Sequence, residues 1–197
     1  MKDEHTDDEE IIRRCCNGET ELYRVLVERY QDRIFNLICR FLGNHHLAED
    51  IAQETFIKAF SSLENFRQEA RFSTWIYRIA VNKCKDFLKD RRRGEISLDR
   101  ITMPGASEYS SHPDGPEDGL LRKEKVMTVE DAILTLPLKY REAFILRHVE
   151  ELPYSDMTRI LGLPINTLKM RVFRARKFLT RKLRLGPLAA KQCKGRR

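Results

Sequence analysis

The chain is poor in helix breakers. It has nine glycines and seven prolines in 197 residues, and four of those glycines and three of those prolines fall in the single stretch 94–119. Outside that stretch little interrupts a helix, and no apolar/polar alternation longer than a few residues suggests a strand. Internal repeats are missing too. No apolar run approaches the roughly eighteen residues of a membrane span, so insertion into a membrane is not expected. The start "MKDEHTDDEE" is acidic where a secretory leader is basic and then apolar, which points to a cytoplasmic protein. The five cysteines (Cys15, Cys16, Cys39, Cys84, Cys193) contain no CxxC pair, and the histidines do not stand at metal-ligand intervals from them. A disulfide framework, a metal and any other cofactor are therefore not expected.

What the chain does have is charge, unevenly placed. The formal net charge is +7. Residues 1–21 carry eight acids against three bases, whereas residues 164–184 carry eight bases and no acid. Such segregation favours a polyanionic partner over a merely soluble surface.

Apolar periodicity predicts an all-α fold of two small helical domains joined by a flexible linker. In residues 22–42 Leu22, Val25, Leu26, Tyr30, Ile34, Leu37, Ile38 and Phe41 make one buried face, and Gly43 and Asn44 stop the helix. A second helix has Ala48, Ile51, Ala52, Phe56, Ala59, Phe60 and Leu63 inside. A third runs from a Ser73 N-cap through "TWIYRIAVNKCKDFLKDRRR". The predicted organisation is an acidic segment 1–21, a three-helix domain 22–93, a linker 94–119, a four-helix domain 120–185 and a basic tail 186–197.

In "YSDMTRILGLPINTLKMRVFRAR", Met157, Ile160 and Leu161 line one short helix, Gly162 supplies a turn, and Leu163 plugs the corner. Leu168 and Val172 then face inward from the next helix, leaving Asn166, Thr167, Lys169, Met170, Arg171, Phe173 and Arg174 largely outside. That is the pattern of a helix-turn-helix, whose second helix enters the major groove. Arg176, Lys177, Arg181 and Lys182 are placed for phosphates. A helical hairpin with a solvated basic face is the plainer alternative, but eight bases without an acid favour DNA.

Two other faces stand out. Arg78, Asn82, Lys85 and Lys89 share one side of the third helix, next to Phe66, Phe72 and Trp75 in "LENFRQEARFSTW". Rings beside a basic stripe suit single-stranded nucleic acid, although the same rings could simply be core. Glu49, Asp50, Gln53 and Glu54 form an acidic and amide face on the second helix that DNA would repel and a basic protein surface would attract.

These three faces, in this order, resemble an extracytoplasmic-function (ECF) sigma factor. "HHLAEDIAQETFIKAF" is similar to the family's polymerase-binding segment, "NFRQEARFSTWIYRIAVNKCKDFLKDRRR" to its promoter-melting and minus-ten segment, and "LPLKYREAFILRHVEELPYSDMTRILGLPINTLKMRVFRARKFL" to its minus-thirty-five domain. The resemblance implies a non-enzymatic factor that gives core RNA polymerase promoter specificity and strand opening. It implies that Asp50, Gln53 and Glu54 dock on the polymerase clamp. Phe66, Phe72, Trp75, Arg78, Asn82, Lys85 and Lys89 would serve the minus-ten element, with Asn82 and the loop from Phe66 to Phe72 holding an extruded base. Thr167, Lys169, Met170, Arg171, Phe173, Arg174 and Lys177 would serve duplex DNA at the minus-thirty-five element. The linker would run towards the polymerase active-site cleft, and an anti-sigma factor is implied as a further partner. Thr158, Asn166 and Met170 depart from the family's usual alanine, glycine and serine; Asn166 is expected to cap the recognition helix. The rivals are a free-standing helix-turn-helix regulator and a metal-dependent nuclease built on Glu49, Asp50 and Glu54.

Overall fold

In the computed structural model, which describes residues 7–66, 71–99 and 128–184, the apolar stripes become eight α-helices and no strand appears among the described residues. The N-terminal domain contains α1 (Asp8–Cys16), α2 (Tyr23–Leu42), α3 (His45–Ser61) and α4 (Phe72–Asp99). The C-terminal domain contains α5 (Val129–Leu134), α6 (Leu138–Phe144), α7 (Tyr154–Leu161) and α8 (Ile165–Arg184), with a π-helical turn at Ile145–Val149 continuing α6.

Helix α2 buries Leu26, Tyr30, Ile34, Leu37, Ile38 and Phe41, as its periodicity predicts. It ends because Gly43 takes a left-handed conformation (φ 70°) that residues with a Cβ resist. Asn44 then caps α3, its side chain accepting from the Leu47 N–H at 3.1 Å. In the C-terminal domain a reciprocal capping box starts α5: the Asp131 N–H donates to the Thr128 hydroxyl at 3.1 Å, and the Thr128 N–H donates to the Asp131 carboxylate at 3.1 Å.

Several expectations are corrected. The acidic segment 1–21, for which periodicity predicted no helix, contains α1: Ile11, Ile12 and Cys15 are buried, and α1 packs on α2. Burying two isoleucines contributes roughly 3–6 kcal/mol, enough to dock a nine-residue helix that would not stand alone. The third predicted helix, α4, starts at Phe72 rather than after Ser73 and runs to Asp99, past the predicted boundary at 93. The rest of the linker, together with residues 120–127 and the basic tail, lies outside the described residues. Phe60, expected inside, is 44% exposed.

The two domains do not stand apart. Helix α4 packs against α7 and α2 against α5, and one continuous apolar core runs from Ile11 to Leu179. Leu134 closes over Gly43 so tightly that a Cβ there would come within 2.6 Å of it. The Arg141 guanidinium donates to the Phe41 carbonyl at 2.6 Å, and the Tyr77 hydroxyl donates to Glu150 at 2.8 Å.

Candidate nucleic-acid interface

The turn between α7 and α8 follows from one residue. Gly162 adopts φ 66°, and its N–H donates to the Thr158 carbonyl at 2.9 Å, ending α7 and redirecting the chain. Thr158 satisfies its hydroxyl on the Ser155 carbonyl at 2.6 Å, so the hydroxyl stands where an alanine would do without strain on the fold. The first main-chain bond of α8 goes from the Leu168 N–H to the Pro164 carbonyl. Asn166 therefore sits inside the first turn of α8, exposed, and does not cap it. A proline at the helix entrance has the backbone angle already set, which removes the need for a polar cap.

Leu168, Val172, Ala175 and Leu179 face inward. Thr167, Lys169, Met170, Phe173, Arg174 and Lys177 are exposed, with Met170 at 50% and Phe173 at 61%. Together with α6, the front of α8 makes an open cleft lined by Lys139, Tyr140, Asn166, Thr167, Met170, Arg171 and Arg174. Arg174 donates towards the Tyr140 phenol at 3.5 Å and holds it below its ordinary pKa. Arg171 is the exception on this helix. It is partly buried and, while still lining the cleft, donates to Glu142 at 2.6 Å.

The N-terminal site is built differently. Phe66, Phe72 and Trp75 form one ring cluster, with centroids 5.2 Å apart for Phe66–Trp75, 5.7 Å for Phe72–Trp75 and 6.1 Å for Phe66–Phe72. Phe72 is 1% exposed and meets Tyr30 edge-on at 5.4 Å, so it belongs to the core and its ring is not open to a base. Tyr30 in turn donates to Asp8 of α1, which also pairs with Arg29. Phe66 and Trp75 keep partly open faces. On α4, Arg78, Asn82 and Lys89 are exposed, whereas Lys85 is held by Glu142 at 2.8 Å. Residues 67–70 of the expected base-capturing loop lie outside the described residues.

On α3, Glu49, Asp50, Gln53 and Glu54 are all exposed, and Glu54 pairs with Lys83 of α4 at 2.6 Å. Among the described residues no group of three or more His, Cys, Asp or Glu side chains is placed to hold a metal ion. Sequence reading passed over Ile57, which is 68% exposed beside this patch. The signal was present: Ile57 falls off the apolar stripe of its own helix, as a large aliphatic residue with an outside use does.

Comparison with known proteins matches residues 26–94 to Sigma-70 region 2 and residues 127–179 to Sigma-70 region 4. The chain is 37% identical over 178 residues to the ECF RNA polymerase sigma factor SigW of Bacillus subtilis, covering 88% of this chain and 95% of that one. The chain belongs to the ECF sigma factors. It is also 36% identical over 181 residues to the RNA polymerase sigma-H factor of Pseudomonas aeruginosa, covering 89% and 93% of the two chains. In fold it resembles the sigma factor RpoE solved with the anti-sigma factor NepR from Bartonella quintana (TM-score 0.64, 23% identity, 83% of this chain and 97% of that one). The likeness to CnrH, solved with the cytosolic domain of CnrY, is equal in TM-score, 0.64, at 21% identity over 89% and 96% of the two chains.

As an ECF sigma factor the protein acts in promoter-specific transcription initiation, with core RNA polymerase and promoter DNA as its partners. A free-standing regulator would need only the C-terminal domain, whereas the region 2 match accounts for α2 to α4 as well. Region 2 begins at Leu26, so α1 stands wholly outside the matched segments of this sigma factor. No helix among the described residues is long and apolar enough to cross a membrane.

Proposed function

We propose a division of labour among three surfaces of this sigma factor. The observation that carries it is the contrast between an acidic, partly apolar face on α3 and basic faces on α4 and α8, all on one scaffold. Asp50, Gln53 and Glu54, with Ile57 beside them, dock on a basic surface of core RNA polymerase; a buried aliphatic contact inside a charged rim is the usual composition of a tight protein interface. Arg78, Asn82 and Lys89 face the opened minus-ten strand, with Phe66 and Trp75 offering the stacking surface and Phe72 supporting them from the core. Thr167, Lys169, Met170, Phe173 and Arg174 meet base edges of the minus-thirty-five duplex, and Lys177 meets phosphate. The protein lends specificity without catalysing a reaction, works in the cytoplasm, and is held in check by an anti-sigma protein, a reading supported by the anti-sigma partners of its structural neighbours.

The test is transcription by core polymerase on a genomic promoter library, with and without the protein, mapping start sites. New start sites that share two upstream motifs support the reading. Identical start sites in both reactions would overturn it.

A further inference from the structure

Helix α1 stands outside the matched segments of this sigma factor, yet one of its side chains begins a series of contacts that ends at the minus-ten rings. Asp8, Ile11, Ile12 and Cys15 share one side of α1, the side seated on α2. A helix that merely covered the core would need the last three and nothing at Asp8. Asp8 instead spends both carboxylate oxygens on α2: one accepts from the Arg29 guanidinium, the other from the Tyr30 hydroxyl. Tyr30 is 7% exposed, and a phenol so far from water needs a partner for its O–H. Region 2 contains Tyr30 but takes that partner from outside its own bounds.

With its hydroxyl held, the Tyr30 ring meets Phe72 edge-on at 5.4 Å, and Phe72 in turn lies 5.7 Å from Trp75 and 6.1 Å from Phe66. The tilt of the outer rings is thereby tied to a carboxylate on α1. Helix α1 also reaches the cluster by a second route, because it touches the short turn Leu63–Asn65, whose next residue is Phe66. Two contacts from one helix converge on the same pair of rings. A base drawn from its stack must recover the lost stacking in the protein, and rings free to tilt recover it poorly.

We propose that α1 works in minus-ten recognition: Asp8, acting through Tyr30 and Phe72, is a positioning residue for the pocket that Phe66 and Trp75 form. The inference rests on the reading of those two rings as the stacking surface for an opened base. With the back of the cluster tied to α1, the rings keep one arrangement whether or not a base is present. The pocket is then preformed, and the cost of ordering it is not taken from base capture.

The experiment compares the wild-type full chain with Asp8→Ala, Asp8→Asn, Tyr30→Phe and the Asp8→Ala/Tyr30→Phe double variant, with Phe66→Ala as the control for the pocket itself. Trp75 is the chain's single tryptophan, so its quenching by acrylamide in the free protein reports directly on the cluster. Base capture is read with core polymerase on a mapped promoter, from a fluorescent adenine analogue placed at each minus-ten position in turn. Asp8→Ala and Tyr30→Phe should each lower the equilibrium constant for capture by about fivefold, the change that one ordinary hydrogen bond carries, and should raise Trp75 quenching while circular dichroism stays native. Asp8→Asn keeps an acceptor and should fall between. The double variant should be no worse than either single one, because both break the same bond. Unchanged Trp75 quenching in the variants overturns the proposal. So does capture that is lost in Phe66→Ala but intact in Asp8→Ala and Tyr30→Phe, since α1 would then be only a cover. A capture signal that survives Phe66→Ala removes the ring pocket itself, and the proposal falls with that reading. Should Asp8→Ala lose helix by circular dichroism, Tyr30→Phe carries the test, because it removes the hydroxyl and leaves the ring and both isoleucines of α1 in place.

Discussion

The large apolar side chains of the two regions proposed to face DNA have opposite fates. In the N-terminal domain Phe66, Phe72 and Trp75 gather on one another and Phe72 disappears into the core. On α8, Met170 and Phe173 stand out in solvent. The two arrangements match different targets. A base leaving its stack needs a rigid pocket, which a ring cluster anchored through Tyr30 and Asp8 can supply. A duplex groove offers edges and methyl groups, for which an apolar side chain must project from the helix. Phenylalanine is thus foundation in one domain, and in the other it is exposed where a probe of the groove is proposed.

The most direct way to break the contrast is to remove one ring from each region. Phe72→Ala should cost roughly 3–5 kcal/mol of stability, the range for deleting a buried phenylalanine, whereas Phe173→Ala should stay within about 0.5 kcal/mol. Denaturant unfolding of both variants checks this. Equal losses would mean that Phe173 is also core.

Next in size are the polar residues around Phe173 proposed to read the upstream element. Arg174→Ala should lose roughly 1–3 kcal/mol of discrimination at particular upstream positions if it reads a guanine. Lys177→Ala should weaken all promoters alike and lower the salt slope by about 1. Binding titrations across promoter variants at several salt concentrations separate the two. Arg171→Ala should behave differently from both, because its loss leaves the buried Glu142 with Lys85 as its one cation and removes a charge-assisted hydrogen bond; reduced stability is expected to accompany any change in DNA binding.

On the opposite face, Ile57→Ala should lower core-polymerase affinity by about 1 kcal/mol or more if the residue is buried at the centre of that interface. Asp50→Ala with Glu54→Ala should mainly slow association and reduce its salt dependence. Binding kinetics measured by surface plasmon resonance decide this, and unchanged rates in all variants would remove the acidic face from the interface.

The smallest expected effect is in alkali. Burial raises the phenols of Tyr23, Tyr30 and Tyr77 above their usual value and pushes the Cys84 thiol up to about 12. All four lie in the N-terminal domain. An acid whose folded pKa is raised contributes stability in full below its unfolded pKa and loses it as pH climbs towards the folded value. The N-terminal domain should therefore weaken from about pH 9 upward, the thiol's ordinary range. Tyr140, lowered by Arg174, should ionise first in an ultraviolet titration, with the three buried phenols following only on unfolding.

Much of this was legible beforehand. The stripes of α2 and α8, the stop at Gly43 and the turn at Gly162 are local matters, decided within one or two helical turns. Most of the exposed faces of α3 and α8 were equally readable, since what falls off a stripe generally faces out; Arg171, drawn in by Glu142, and Phe60, on the stripe yet exposed, are the exceptions. Helix α1 escaped because its apolar positions are few and lie among acids, so its weak local preference became structure only on docking. Asn166 was misplaced because a polar residue near a helix start looks like a cap, while the proline before it had already set the entrance.

The sequence by itself determined the helices, their inner and outer faces, and the separation of acid from base along the chain. Only the tertiary structure decided that Phe72 supports rather than touches, and that Lys85 and Arg171 meet at Glu142. The physical reason is distance along the chain. Periodicity reports which side of a helix avoids water, but it carries no information about which distant carboxylate a buried cation will find. That choice is made when the domains pack and each desolvated charge must be matched by whatever lies opposite.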